Sequence, residues 1–111
     1  MKIIHIIAPF SLSNPSHKPK AAVVETNNGF LYARDHFKSP VDVLGYTNIW
    51  DSNIAVLVDD ESVFKGSLPY HHSLPDMVQP IVFGDIFLVG DDGTNFIGLE
   101  SDFITQFLER Y

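Results

Sequence analysis

The stretch IVFGDIFLVGDDGTNFIGL, residues 81–99, decides the class of fold. From Ile81 to Val89 almost every side chain is β-branched, aromatic or otherwise large and apolar, which suits a pleated, buried surface. Gly84 interrupts the run and predicts a bulge. Asp92-Gly93 tolerates the backbone of a tight hairpin turn, and Asn95 to Leu99 reads as the returning strand. The period then changes. In SDFITQFLERY (residues 101–111), Phe103, Ile104, Phe107, Leu108 and Tyr111 fall on one side of a 3.6-residue repeat. Ser101 is a capping residue type, and Asp102 sits where the helix dipole favours a negative charge. A hairpin running into an amphipathic helix predicts a sheet buried under helices.

The same signals recur toward the start of the chain. NIAVLVDDESVFKG (53–66) reads as strand, turn, strand, with Asp59-Asp60-Glu61 at the tip. In SPVDVLGY (39–46), Ser39 as N-cap, Pro40 at the first helical position and Asp42 in a capping box predict a short middle helix, stopped by Gly45. AAVVETNNGFLYARD (21–35) predicts two strands around an Asn28-Gly29 hairpin turn. Residues 11–20, with Pro15 and Pro19, read as a loop. The opening MKIIHIIAPF reads as a buried strand. Its apolar run is short, His5 interrupts it, Pro9 ends it, and no small-residue cleavage site follows, so a signal peptide is not the expected reading. The expected fold is α+β: a small antiparallel, meander-like sheet with a short middle helix and a C-terminal helix, in one domain spanning 1–111. The helices cover one face, and the other meets solvent or a second subunit.

Composition narrows the function. With no cysteine there is no disulfide, thiolate metal site or cysteine nucleophile. Fourteen acidic residues against seven Lys and Arg give a net charge of −7, which disfavours binding to phosphate backbones. Lys18, Lys20, Arg34 and Lys38 gather early, and after Lys65 only Arg110 is basic. No segment approaches the roughly 20 apolar residues of a membrane span, and a cytoplasmic location is expected. No G-x-S-x-G, P-loop, G-x-G-x-x-G or H-E-x-x-H is present.

The most chemical stretch is LPYHHSLPD (68–76), with His71 and His72 between two prolines and Asp76 four residues on. Together they would number the three protein ligands of a catalytic zinc site. Adjacent residues of an extended chain point apart, however, and the spacing matches no established ligand pattern. A loop that offers both imidazoles to a partner is the expected role, and no cofactor is expected. Asp59, Asp60, Glu61, Asp91 and Asp92 join His71 and His72 as candidate partner contacts, although Asp and Gly are also what hairpin turns require. His5 reads as a satisfied core or edge residue, and His17 and His36 as isolated among polar neighbours. Trp50, Tyr46 and Tyr32 read as core aromatics before they read as a binding patch.

The C-terminal half resembles a family of small uncharacterised proteins of phages, plasmids and other mobile elements of Gram-positive bacteria. The resemblance lies in Leu68-Pro69, in GDIFLVG from Gly84 to Gly90, in Phe96, and in Leu99 to Ile104. Where the family has an Asn-Arg pair after Leu-Pro, this chain has His71-His72, which argues against metal binding there. The resemblance implies no activity and transfers no residue role. It implies a non-enzymatic protein-binding module that meets a host or phage protein with a basic surface. One form is an acidic, anti-CRISPR-like inhibitor of a nucleic-acid-handling or defence nuclease complex. The alternatives are a metal-dependent or hydrolytic enzyme using His71, His72 and Asp76, and a homo-oligomeric structural protein, for which a slightly positive mean hydropathy leaves apolar surface to cover.

Overall fold

The computed structural model of the chain describes residues 1–7, 20–49, 52–61, 69–70 and 82–110. The elements in order are β1 (Lys2–Ile7), β2 (Lys20–Glu25), α1 (Gly29–Phe37), β3 (Val41–Ile49), β4 (Ser52–Asp59), β5 (Pro69–Tyr70), β6 (Val82–Phe83), β7 (Ile86–Asp91), β8 (Phe96–Ile97) and α2 (Ser101–Arg110). The main sheet runs β2-β1-β7-β4-β3, with β8 paired to β7, and β5 and β6 form a separate two-stranded sheet. Every pairing is antiparallel. The class is α+β, as the residue pattern predicts. The connectivity is not a simple meander, because β7 lies between β1 and β4 and joins the β1–β2 and β3–β4 pairs into one sheet.

The apolar runs have a physical reason. Ile4, Ile6, Ile54, Val56, Val58, Ile86 and Leu88 form one core with Leu99 and with Phe103, Ile104 and Phe107 of α2. The alternate positions Ile3, Ala55, Leu57, Phe87 and Val89 form a second core with Ala33 and Phe37 of α1. The helices therefore lie on opposite faces of the sheet. Strands covered on both sides read as continuous apolar runs rather than as alternation. The expectation of one open face is corrected for the central strands β1, β4 and β7, whose two faces are both buried.

Two further expectations are corrected. Asn28-Gly29 does not make a hairpin. Asn28 is the N-cap of α1, its side chain accepting from the Leu31 N–H at 3.0 Å. Gly29, Ala33 and Phe37 then recur every four residues and are all buried, which is the stripe of a helix. The middle helix thus exists, but its cap lies eleven residues earlier than SPVDVLGY suggested, at Asn28 instead of Ser39. α1 ends at Lys38, in the left-handed region at φ 58°, whose N–H returns to the Arg34 carbonyl. The chain from Val41 is the strand β3, and its register against β4 shifts between Val43 and Gly45, so Gly45 accompanies an irregularity instead of stopping a helix. Gly84 likewise does more than bulge a strand. At φ 86° it separates β6 from β7, which belong to different sheets.

Candidate functional site

β1 and β7 pair with His5 opposite Phe87, and the two rings stack at a centroid distance of 4.3 Å. Both side chains face α1. Asp85, two residues before Phe87, is diagonal to His5 on the same side. His5 Nε2 lies 3.0 Å from Asp85 Oδ2. α1 crosses this face and delivers His36 from its last turn, with Nε2 3.3 Å from the same oxygen. The His5 and His36 rings meet edge to face at 4.7 Å. Phe87 also makes edge contacts with His36, Phe37 and Tyr32, so one aromatic residue fixes the wall of the cluster.

Each residue arrives by a different route. His5 comes from a strand whose other residues after Lys2 are all isoleucines, and its side chain is 11 % exposed. Asp85 follows the turn at Gly84 and is 23 % exposed, and His36 is 40 % exposed on the helix surface. A buried imidazole in an apolar strand requires a polar partner, and Asp85 supplies it. The core reading of His5 is therefore right about satisfaction, while the isolation expected of His36 is corrected. Residues separated by 31 and 49 positions are invisible as a set until β1, β7 and α1 are placed together. The available signal was His5 itself, the one polar residue inside IIHII.

The acidic candidates sit in turns. Asp59 is buried; its carboxylate accepts from the Ser39 hydroxyl and from the Glu61 N–H. Asp60 and Glu61 are exposed. At the opposite end of the sheet, Asp91 accepts from the Gly93 N–H, and exposed Asp92 accepts from the N–H groups of Asn95 and Thr94. Those two donors, Asn95 first, hold the Asp92 carboxyl below its ordinary value. Asp91 and Glu100 line a cleft together with Gly90, Gly98 and Phe103. His71, His72 and Asp76 lie outside the described residues, as do His17, Trp50, Tyr111 and the second strand expected over 62–66. In the tail, Phe103, Ile104 and Phe107 are buried as expected, whereas Leu108 is 42 % exposed. Ser101 is the first residue of α2 rather than its cap. Among the described residues no helix is long and apolar enough to cross a membrane.

The family model described as Domain of unknown function (DUF3846) matches residues 16–111. The chain belongs to this family. The match reaches well beyond the C-terminal half that carried the resemblance. It contains His36 and Asp85 and begins after β1, so His5 lies outside it. Comparison with curated proteins and with solved structures gives no match.

Proposed function

We propose, from membership of a family without an assigned activity, that the chain is a non-enzymatic binding module that offers an acidic surface to a basic patch on a protein partner. One observation carries this reading. Among the residues whose exposure is described, nine carboxylates are exposed, Asp60, Glu61, Asp92 and Glu100 among them, against three cations, Lys2, Arg34 and Lys38. Such an excess repels a phosphate backbone and accelerates encounter with a basic surface. Proteins that hold nucleic acid carry basic channels, and an acidic 111-residue domain is small enough to enter one. Resemblance to proteins of phages and other mobile elements supports a host nuclease or defence complex as the target, with inhibition as the outcome and the host cytoplasm as the place. The same charge opposes self-association through these surfaces.

The test is affinity capture from a lysate of the bacterial host at low and high salt. The tagged wild type is compared with an Asp60→Asn/Glu61→Gln/Glu100→Gln variant. A basic protein captured in stoichiometric amount, released by salt and reduced at least about tenfold by neutralisation supports the reading. Capture indifferent to both salt and charge refutes it, as does a chain that captures only itself.

A further inference from the structure

We propose that His5 Nε2, His36 Nε2 and Asp85 Oδ2 bind one divalent transition-metal ion of the class that zinc represents. The proposal goes beyond the acidic-surface reading and does not depend on it. One ligand atom from each of the three residues lies within 4.8 Å of those of the other two. Around a tetrahedral zinc with bonds near 2.0–2.1 Å, neighbouring ligand atoms stand roughly 3.3 Å apart. The two imidazole-to-carboxylate separations, 3.0 and 3.3 Å, are already at that spacing. What remains to be set is the spacing between the two imidazole nitrogens. His36 can supply that adjustment, because it is the most exposed of the three and sits at the end of a helix.

The donor set selects the ion. Two imidazoles and one carboxylate suit zinc and its first-row neighbours, whereas magnesium and calcium call for oxygen ligands throughout. The surroundings favour a cation as well. His36 lies in the last turn of α1, where the helix dipole presents its negative end. The stack of His5 on Phe87 and the edge contact of Phe87 with His36 form an apolar wall that limits ring rotation on one side. Exposure rises from His5 through Asp85 to His36, so a fourth ligand would enter from the His36 side. Three protein ligands with one position open is the arrangement of reactive rather than sealed zinc sites. Without an ion, the same atoms are accounted for by two imidazole N–H groups donating to one carboxylate oxygen. The two states compete for the same lone pairs, and measurement separates them.

The experiment is calorimetric titration of zinc chloride into the full chain, pretreated with chelator, above the unperturbed histidine pKa of about 6.5. Four proteins are compared: wild type, His36→Ala, Asp85→Asn, and the His71→Ala/His72→Ala double variant. The expected result is one-to-one binding in the wild type, weakened at least about tenfold in His36→Ala and Asp85→Asn, since even outer-shell partners of metal ligands are worth 10–100-fold. The double variant binds like the wild type. No binding by the wild type overturns the proposal. So does binding that survives in His36→Ala and Asp85→Asn but disappears in the double variant, which would transfer the site to the 71–72 loop. A second readout needs no variant. Paramagnetic cobalt(II) added below stoichiometry to the wild type should broaden the ring resonances of His5 and His36 before those of the other three histidines, and the reverse order overturns the assignment.

Discussion

Replacing Phe107 by alanine tests whether α2 closes one of the two cores. Phe107 is 1 % exposed, lies 6.0 Å from the Phe103 ring, and sits in the cluster that holds Ile4, Ile54 and Leu88. A buried aromatic removes at least about 150 Å² from water, and at about 25 cal/mol per Å² its full transfer amounts to about 4 kcal/mol. Alanine retains part of that, leaving a transfer loss of about 2–3 kcal/mol. The unfilled volume adds more, because strands tied into a sheet cannot collapse onto it, and the expected total is about 3–5 kcal/mol. The neighbouring Leu108, 42 % exposed, provides the control: Leu108→Ala should cost less than about 1 kcal/mol. Urea unfolding measures both through the shift in midpoint, with the slope checked for constancy. A domain of this size has about 5–15 kcal/mol to lose, so Phe107→Ala should be folded but visibly weakened. Equal losses at the two positions, or a loss below about 1 kcal/mol at Phe107, would refute the assignment of α2 as a core element.

Gly90→Ala should destabilise by about 1–3 kcal/mol in the same assay, because an added Cβ would stand 2.9 Å from the Gly98 carbonyl oxygen, which belongs to the backbone and cannot rotate away. Asn28→Ala removes the cap of α1 and should cost about 1 kcal/mol, seen as earlier loss of helical circular dichroism on heating. Ser39→Ala withdraws one donor from buried Asp59 and should cost about 1–3 kcal/mol in urea unfolding. Asp92, whose folded carboxyl titrates below its unfolded value, contributes stability that is fully present above the unfolded value and is lost as pH falls through the folded one. A side-chain NMR titration should therefore find its midpoint below that of an unstructured aspartate, and Asn95→Pro, which deletes a donor, should move it up.

Much of the architecture was legible because both helix-covered faces write themselves into the strands. Runs such as IAVLVD and IFLVG have no alternation to misread, and the period change at Ser101 marks α2. What failed was local and had one cause. Asn28-Gly29 serves equally as a hairpin turn and as a cap followed by a first helical residue, and the buried Gly29, Ala33, Phe37 stripe that decides between them carries two small residues and only one large one. With α1 read as strand, the helix had to be placed later, on Ser39-Pro40, where the valines at 41 and 43 in fact extend β3. The candidate metal site was lost with it. His36 approaches His5 and Asp85 only if the chain from residue 29 is helical and crosses the sheet, and the insertion of β7 beside β1 depends on pairing across more than 80 positions, from Ile4 to Leu88. No local pattern encodes either fact.

The polar residues that intrude on the apolar strands share a place. His5 in β1 and Asp59 at the end of β4 are both buried, on the face that α1 covers. The chain around the end of α1 answers both: His36 meets Asp85, which holds His5, and Ser39 donates to Asp59. Apolar packing is non-directional and would let a helix with one large buried residue slide or rotate on the sheet. Hydrogen bonds to fixed carboxylates do not allow that, because a misplaced helix gives up the His36 contact with Asp85 and the Ser39 hydroxyl bond to buried Asp59. Two polar fastenings, one near β1 and β7 and one on β4, therefore fix where α1 ends and aim the chain into β3. An ion held by His5, His36 and Asp85 would replace the first fastening with a stronger one. Metal binding at this position would then be expected to tighten the junction between α1 and β3 and, through Ser39 and Asp59, the adjoining turn that carries the exposed Asp60 and Glu61.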